Sequence, residues 1–193
     1  MNAAMRVSVQ APRLDGGVDE QRVVRAWDVL QGVLDPEVPA LSVCDLGIVR
    51  EVLADGDGIE VVLTPTYSGC PATEVIEQSV IDAVNAAGLG PARVTLQRAP
   101  AWTTDWISDD GRRKLREYGI APPSCVSDGV KPSEGNAAVA QERQIRLVPR
   151  QAIECPRCNS KNTERLSTFG STACKSLYRC IACREPFEYF KPL

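Results

Sequence analysis

Residues 48–71 read IVREVLADGDGIEVVLTPTYSGCP, and this stretch decides the fold of the first half of the chain. Two short runs rich in β-branched residues, Ile48–Ala54 and Ile59–Thr64, are joined by Asp55-Gly56-Asp57-Gly58, which is typical of a tight turn between antiparallel strands. The sequence therefore predicts a β-hairpin, followed by a loop that reaches Cys70.

Amphipathic helices are predicted on both sides of this hairpin. Apolar residues recur at helical spacing from Asp19 to Leu34 and from Pro71 to Ala87, and Gly88 is placed to end the second helix. Ala92–Gln97 alternates apolar and polar residues, which predicts a third strand. The order α-β-β-α-β, with a further short helix over Ser108–Tyr118, indicates an α+β fold in which the two longer helices cover one side of the sheet.

The C-terminal segment carries two Cys-x-x-Cys pairs, Cys155 with Cys158 and Cys180 with Cys183. The pairs are separated by 21 residues, which is typical of two hairpin knuckles that share one tetrahedral metal ion. Asn159 follows the first pair and tolerates the left-handed backbone that such a knuckle needs. A segment this short builds a poor core alone, so bound metal is expected to contribute to its folding.

These patterns predict two domains and a linker. The α-β-β-α-β domain with its extension is assigned to residues 19–121, and a zinc-ribbon β domain to residues 143–193. Residues 122–142 mix Pro, Ser, Gly, Ala and Glu without apolar periodicity, which favours a linker.

The four paired cysteines leave three interpretations open. Zinc is favoured, because four cysteine ligands are typical of a structural zinc site. Iron or an iron-sulfur cluster uses the same ligands, and a disulfide pair is the third possibility. Four protein ligands leave no position for a catalytic water, so the ribbon is predicted to be structural.

Cys70 stands just before the second predicted helix, where the helix dipole would lower the pKa of its thiol. Such a thiolate could act as a nucleophile or as a ligand of a soft metal, whereas a cysteine packed in the core is the plain alternative. The hydroxyls of Thr64 and Thr66 could orient a ligand or simply cap the turn. Asp45, in the loop before the hairpin, could approach Cys70. Packing is the expected role of the remaining cysteines, Cys44, Cys125 and Cys174.

Composition narrows the class of function. The chain has no histidine, which removes the commonest general acid and base, so an accessory protein is favoured over a self-contained enzyme. A net charge of −3 disfavours a nucleic-acid partner. No stretch approaches the roughly 20 apolar residues of a membrane span, and Met1–Gln10 lacks the apolar core of a signal peptide. We therefore expect a cytoplasmic protein with reduced cysteines and no membrane partner.

Three motifs resemble the MIP18 family, also called DUF59, over residues 20–98. The resemblance implies a role in iron-sulfur cluster assembly or transfer with a transiently held cluster. It also implies Cys70 as the reactive position and Asp45 as a neighbouring motif residue, and we place Thr64 and Thr66 in the same candidate site. The motifs are Asp35-Pro36-Glu37-Val38-Pro39, Cys44-Asp45-Leu46-Gly47-Ile48-Val49 and Thr64-Pro65-Thr66-Tyr67-Ser68-Gly69-Cys70-Pro71.

Further motifs are similar to the branch of this family found in aerobic phenylacetate degradation. They span Pro100–Ile107, Gly111–Leu115 and Tyr118–Pro123 and end with the Cys-x-x-Cys pairs. This likeness implies maturation of the phenylacetyl-CoA epoxidase complex, which has a diiron subunit and a flavin and iron-sulfur reductase subunit. The implied partners are the epoxidase subunits, above all the reductase, and the iron-sulfur assembly machinery.

Two other functions stay open. The chain could be a stoichiometric, non-catalytic epoxidase subunit that is needed for turnover. It could also be a thiol oxidoreductase that uses Cys70 alone, although no second cysteine stands beside it in a Cys-x-x-Cys pair. One thiolate rarely completes a cluster site, so a homodimer, a client or a small thiol would have to supply further ligands.

Overall fold

The predicted hairpin is present in the computed structural model, which describes residues 17–67, 69–123 and 152–192. Strand β1 (Val49–Asp55) pairs antiparallel with β2 (Gly58–Leu63), and Val52 lies opposite Val61. Gly56 in the turn has a φ of +58°, a left-handed conformation that glycine adopts without steric cost. The turn chemistry of the sequence therefore set the register of the hairpin.

Two helices and a third strand complete the first sheet. Helix α1 spans Gly17–Leu30, α2 spans Thr73–Ala86, and β3 (Ala92–Leu96) pairs parallel with β2. The strand order is β1-β2-β3, so α2 is the crossover between two parallel neighbours. Helix α1 packs on β1, α2 packs on β3, and the two helices contact each other. The predicted α-β-β-α-β order is confirmed. The buried helix residues are Val23, Ala26, Leu30, Ile76, Val80 and Val84.

The helix ends differ from the prediction. Helix α1 stops at Leu30 and not at Leu34, because Leu34 leaves the helix to form an isolated bridge with Ser42. The Asp35 carboxylate then accepts hydrogen bonds from the backbone N–H groups of Glu37 and Val38 and closes the loop. A residue before proline is also biased away from helical backbone, so Asp35-Pro36 could not continue the helix.

Helix α2 begins at Thr73, two positions after the predicted start at Pro71. The backbone N–H and the hydroxyl of Thr73 both donate to the carbonyl oxygen of Cys70, at 3.2 and 2.9 Å. These bonds form a turn before the helix. Cys70 therefore lies outside the helix, separated from Thr73 by Pro71 and Ala72.

A C-terminal extension covers the loop that precedes β1. It contains a short 3-10 helix, Thr104–Trp106, and helix α3, Asp109–Tyr118. Trp102 is buried and donates its indole N–H to the Leu46 carbonyl oxygen at 2.9 Å. Gly47 has a φ of +67°, and a Cβ at this position would collide with the Trp106 carbonyl oxygen. Only glycine allows this close approach.

The ribbon is a separate compact unit that spans Gly119–Pro192, while the first unit ends at Tyr118. Its strands are β4 (Ile120–Ala121), β5 (Thr163–Ser167), β6 (Lys175–Cys180) and β7 (Pro186–Phe190), in the order β4-β7-β6-β5. Strand β4 pairs parallel with β7, and the other pairs are antiparallel.

The pairing of β4 places Ile120–Ala121 in the ribbon sheet, although the predicted first domain runs to residue 121. Of the predicted linker 122–142, Pro122 and Pro123 are described, and Cys125 lies outside the described residues. No helix among the described residues has both the length and the apolar character that crossing a bilayer requires.

An aromatic cluster forms the core of the ribbon. Tyr178 stacks on Phe187 with ring centroids 5.8 Å apart and meets Tyr189 edge-on at 5.7 Å. The same core contains Cys155 and Cys180, both fully buried. The small apolar core and the cysteine site therefore support one another.

Candidate functional site: a four-cysteine metal centre and the Cys70 loop

The four paired cysteines converge on one point. Their Sγ atoms all lie within 4.8 Å of one another. The Sγ atoms of Cys155 and Cys183 are 3.8 Å apart, and those of Cys158 and Cys180 are 3.5 Å apart. A tetrahedral ion with metal–sulfur bonds of about 2.3 Å holds its sulfur ligands about 3.8 Å apart. The four cysteines therefore fit a single metal ion.

Two similar backbone turns hold the four sulfur atoms. In the first, Asn159 donates its backbone N–H to the Cys155 carbonyl at 2.9 Å and has a φ of 60°, as its position predicted. In the second, Cys180 donates its N–H to the Glu185 carbonyl at 3.0 Å, and Arg184 has a φ of 65°. Arginine seldom adopts this conformation, so the second left-handed residue could not be recognised from its residue type.

All four ligands of this metal centre are cysteine thiols, and together they would fill every coordination position of a tetrahedral ion. The backbone N–H of Cys183 lowers the pKa of Cys180 to about 7, whereas the nearby Cys180 sulfur raises the pKa of Cys158 to about 12 and burial raises the pKa of Cys183. A thiol must lose its proton to become a metal ligand, so metal binding to this set would release protons. Four thiolates complete the coordination of one tetrahedral ion.

The loop that carries Cys70 joins β2 to α2. It lies at the carboxyl ends of the parallel strands β2 and β3, the edge where α/β sheets usually bind ligands. Cys70 is half-buried, and its backbone is fixed on both sides: its N–H donates to the Tyr67 carbonyl at 3.2 Å, and its carbonyl accepts from Thr73. Cys70 is therefore a partly exposed residue whose backbone is held by hydrogen bonds on both sides.

Thr64 stands at the beginning of the same loop. It is only 2% exposed, and its hydroxyl has no hydrogen-bond partner in the described part of the chain. Its backbone N–H donates to the Ile48 carbonyl at 2.8 Å, so its position is fixed. Thr66, in contrast, is half-buried. An unsatisfied buried hydroxyl is costly, which marks Thr64 as a group that a ligand could use.

Asp45 is also buried, and Ser42 and Lys114 engage its carboxylate. The Oδ2 atom accepts from the backbone N–H and hydroxyl of Ser42, both at 2.9 Å, and from Lys114 Nζ at 2.8 Å. Burial acts to raise the Asp45 pKa, but these hydrogen bonds outweigh it and the pKa lies below its usual value. Within the described residues the structure shows no hydrogen bond between Asp45 and Cys70. No sequence pattern had singled out Lys114 or Ser42 as its partners.

Two of the remaining cysteines are placed in the structure. Cys44 is half-buried, and burial together with the Asp45 charge raises its pKa to about 12, so its thiol stays neutral. Cys174 is buried in the ribbon, and its sulfur lies 3.0 Å from the Thr172 hydroxyl. Both environments agree with the expected packing role.

Comparisons with known proteins match both parts of the chain. Residues 24–96 match the family described as iron-sulfur cluster assembly protein, and residues 140–191 match the PaaD zinc beta ribbon domain. A protein of Escherichia coli K12, whose name describes a putative subunit of 1,2-phenylacetyl-CoA epoxidase, is 47% identical over 170 residues. These residues are 88% of this chain and 93% of that protein.

Two solved structures resemble the first part of the chain. A DUF59 domain from Bacillus anthracis is 25% identical and covers 51% of this chain and 94% of its own, with a TM-score of 0.48. A conserved hypothetical protein from Thermotoga maritima is 28% identical and covers 47% and 89%, with a TM-score of 0.41. On its two family matches and its Escherichia coli relative, the chain belongs to the PaaD family, in which a MIP18-type iron-sulfur cluster assembly domain is followed by a zinc ribbon with a four-cysteine metal-binding cluster.

Proposed function

We propose that this protein is a cytoplasmic maturation factor that helps to insert an iron-sulfur cluster into the phenylacetyl-CoA epoxidase complex, with Cys70 as a transient thiolate ligand. The observation that carries the proposal is the half-buried Cys70 on its fixed loop, within the segment that matches the iron-sulfur assembly family. The relative named for the epoxidase supports the choice of client.

The Cys70 loop suits brief binding. It offers one thiol, and a cluster needs several ligands, so a client, a small thiol or a second copy of the chain must complete the site. The Thr64 hydroxyl and the half-buried Thr66 would orient the bound group by hydrogen bonds. An incomplete ligand set favours release, which a carrier requires. The reductase subunit, which holds the iron-sulfur cluster of the complex, is the proposed client.

The ribbon would hold zinc permanently. Four thiolates at tetrahedral spacing are typical of structural zinc, and they leave no open coordination position for catalysis. When bound, the ion would stabilise the fold of the small β domain. The ribbon would then serve as a structural or docking module, while Cys70 handles the cluster. Asp45 would act by fixing the loop before β1, because its carboxylate is occupied by Ser42 and Lys114.

Complementation tests this function. Cells that lack the protein would receive the wild type, Cys70→Ser or Cys44→Ala, and the iron and sulfide content of the purified reductase would be measured with epoxidase activity. Cys44 is the matched control, because it is a half-buried cysteine in the same domain. We expect the wild type and Cys44→Ala to restore the cluster and Cys70→Ser to fail. Full restoration by Cys70→Ser would refute the role of Cys70.

A second candidate is a stoichiometric, non-catalytic subunit of the epoxidase. It is favoured by the name of the Escherichia coli relative, which describes a component of the enzyme. Purification of the fully active complex separates the two functions, because a stoichiometric component must remain with it in fixed proportion. A maturation factor is absent from that preparation, and the complex keeps its turnover without it.

A further inference from the structure

An open cavity of about 430 Å³ lies in the first unit, bordered by α1, the loop before β1 and the short 3-10 helix. The residues that line it include Trp27, Trp106, Cys44 and Arg50. Its volume falls within the range of small-molecule sites. The candidate site described above does not include this cavity.

Arg50 is placed by an irregularity in the hairpin. Val49 pairs with Leu63 and Glu51 with Val62, so the register shifts at Arg50 and leaves it without a cross-strand partner. A bulge of this kind re-aims a side chain and often stands beside a functional site. The Arg50 guanidinium carbon lies 3.5 Å from the centroid of the Trp106 ring. The register shift therefore coincides with a cation placed against an aromatic ring.

The charge of Arg50 is poorly compensated by the protein. Among the described residues, its one hydrogen bond joins Nη1 to the Gly47 carbonyl at 3.5 Å, a long and weak contact, and no carboxylate forms an ion pair with it. Burial lowers the Arg50 pKa, and the charge of Glu51 opposes this only in part. A partly desolvated guanidinium with most of its N–H donors unused is a site for an anion.

The shape of the site indicates the class of anion. A guanidinium stacked on an indole keeps its N–H groups free in the plane of the stack, where a carboxylate can accept two parallel hydrogen bonds. The lining residues beside Arg50 include Trp27, Trp106, Val49 and Cys44, whose thiol stays neutral because its pKa is raised to about 12. Such walls fit an aromatic or aliphatic body attached to the carboxylate.

Asp105 also lines the cavity, and its charge opposes an anion. It is solvent-exposed, so water and salt screen it, whereas Arg50 is partly buried. An anion should therefore bind at the Arg50 end of the cavity. Removal of the Asp105 charge should strengthen the binding of that anion, which provides a separate test.

We propose that this cavity binds a carboxylate carried on an aromatic or aliphatic group, with Arg50 as the anchor and Trp27 and Trp106 as the walls. The proposal goes beyond cluster maturation and does not depend on Cys70. The same chemistry has two sources: a free small organic acid, or the terminal carboxylate of a partner protein whose last residue is apolar.

The three tryptophans give a direct readout with the full-length protein. Two-dimensional ¹⁵N–¹H spectra resolve the indole N–H signals, which Trp→Phe variants assign. We expect 3-phenylpropanoate to shift the signals of Trp27 and Trp106 and to leave that of Trp102, whose N–H is buried in its bond to Leu46. The neutral analogue 3-phenylpropanamide should cause no shift, because it cannot pair with the guanidinium.

Variants separate the proposed site from general binding. Arg50→Gln should weaken binding of 3-phenylpropanoate about tenfold or more, because a charge-assisted pair is lost. Arg98→Gln should leave it unchanged, since Arg98 is exposed and does not line the cavity. Asp105→Asn should tighten it.

The dipeptide N-acetyl-Gly-Phe, compared with its C-terminal amide, distinguishes the two sources. Tighter binding than 3-phenylpropanoate indicates a protein terminus, and weaker binding indicates a small acid. The proposal is overturned if neither acid shifts the Trp27 and Trp106 signals at millimolar concentration. It is also overturned if Arg50→Gln binds them as well as the wild type does.

Discussion

Lys114 Nζ lies 2.8 Å from the Oδ2 atom of Asp45, although 69 residues separate them in the chain. The pair joins α3 to the loop that precedes β1. Asp45 is 5% exposed at its side chain and Lys114 34%, so the carboxylate is buried and the ammonium reaches it from the edge. This interaction makes the extension after β3 part of the first domain.

Lys114→Met should therefore destabilise the first domain by about 1–3 kcal/mol, because it leaves a buried carboxylate with only the Ser42 donors and the Ser108 hydroxyl, which lies 3.4 Å from Oδ1. Urea unfolding followed by tryptophan fluorescence measures this, since all three tryptophans belong to the first unit. Arg113→Met is the matched control on the same helix. Its ion pairs with Asp110 and Glu117 are exposed, and we expect a loss below about 1 kcal/mol. Equal losses in both variants would contradict the role given to the buried pair.

The same pair predicts a pH dependence. The folded-state pKa of Asp45 lies below the ordinary value of 3.8, so its stabilising effect is complete above that value and is lost as the pH falls through the folded pKa. The difference in unfolding free energy between the wild type and Asp45→Asn should be constant above about pH 5 and shrink below about pH 4. Urea titrations at successive pH values measure it. A difference that grows on acidification would reverse the sign and refute the argument.

Removal of metal should unfold the ribbon and leave the first domain intact. Structural zinc contributes on the order of 10 kcal/mol to small domains of this kind, and the two units are compact separately. Elemental analysis should find one zinc per chain in the wild type and in Cys174→Ser, and none in Cys155→Ser or Cys180→Ser. A strong chelator should remove the metal without changing tryptophan fluorescence. Iron with sulfide in place of zinc would contradict the assignment.

Gly47→Ala should be far more damaging than Gly56→Ala. Both glycines have left-handed backbone, with φ of 67° and 58°, which costs alanine about 1–2 kcal/mol. At Gly47 the new methyl group also collides with the Trp106 carbonyl, whereas nothing lies within 4 Å of a Cβ at Gly56. Thermal unfolding of both variants compares the two costs directly. Similar melting temperatures for the two variants would contradict the prediction and would mean that the Trp106 backbone moves at little cost to make room for the methyl group.

Thr64→Val should raise stability and lower function. The substitution keeps the shape of the side chain and removes a buried hydroxyl that has no partner in the described residues, which stabilises by about 1 kcal/mol. If that hydroxyl orients the cluster, reductase maturation should fall severalfold in the complementation assay. Thr104→Val is the control, because Thr104 carries an equally buried, unpartnered hydroxyl outside the Cys70 loop. Unchanged maturation with Thr64→Val would remove Thr64 from the site.

The sequence by itself determined the local elements and the metal centre. The β-branched runs around Asp55–Gly58 set the hairpin, apolar periodicity set the two longer helices, and the spacing of the Cys-x-x-Cys pairs set the four-cysteine site. Each of these patterns involves a few neighbouring residues or a fixed ligand geometry, so it can be recognised in the sequence without knowledge of the tertiary structure. The left-handed residue Asn159 belongs to the same group.

Only the tertiary structure decided which side chains work together over long separations. It paired Asp45 with Lys114, joined Ile120–Ala121 to the ribbon sheet, and set Arg50 against Trp106 beside a cavity. These relationships depend on close packing between segments that are distant in the chain, where a bulge or a glycine contact decides which way a side chain points. Local sequence patterns carry no record of such contacts, because their free energy arises only when the segments meet.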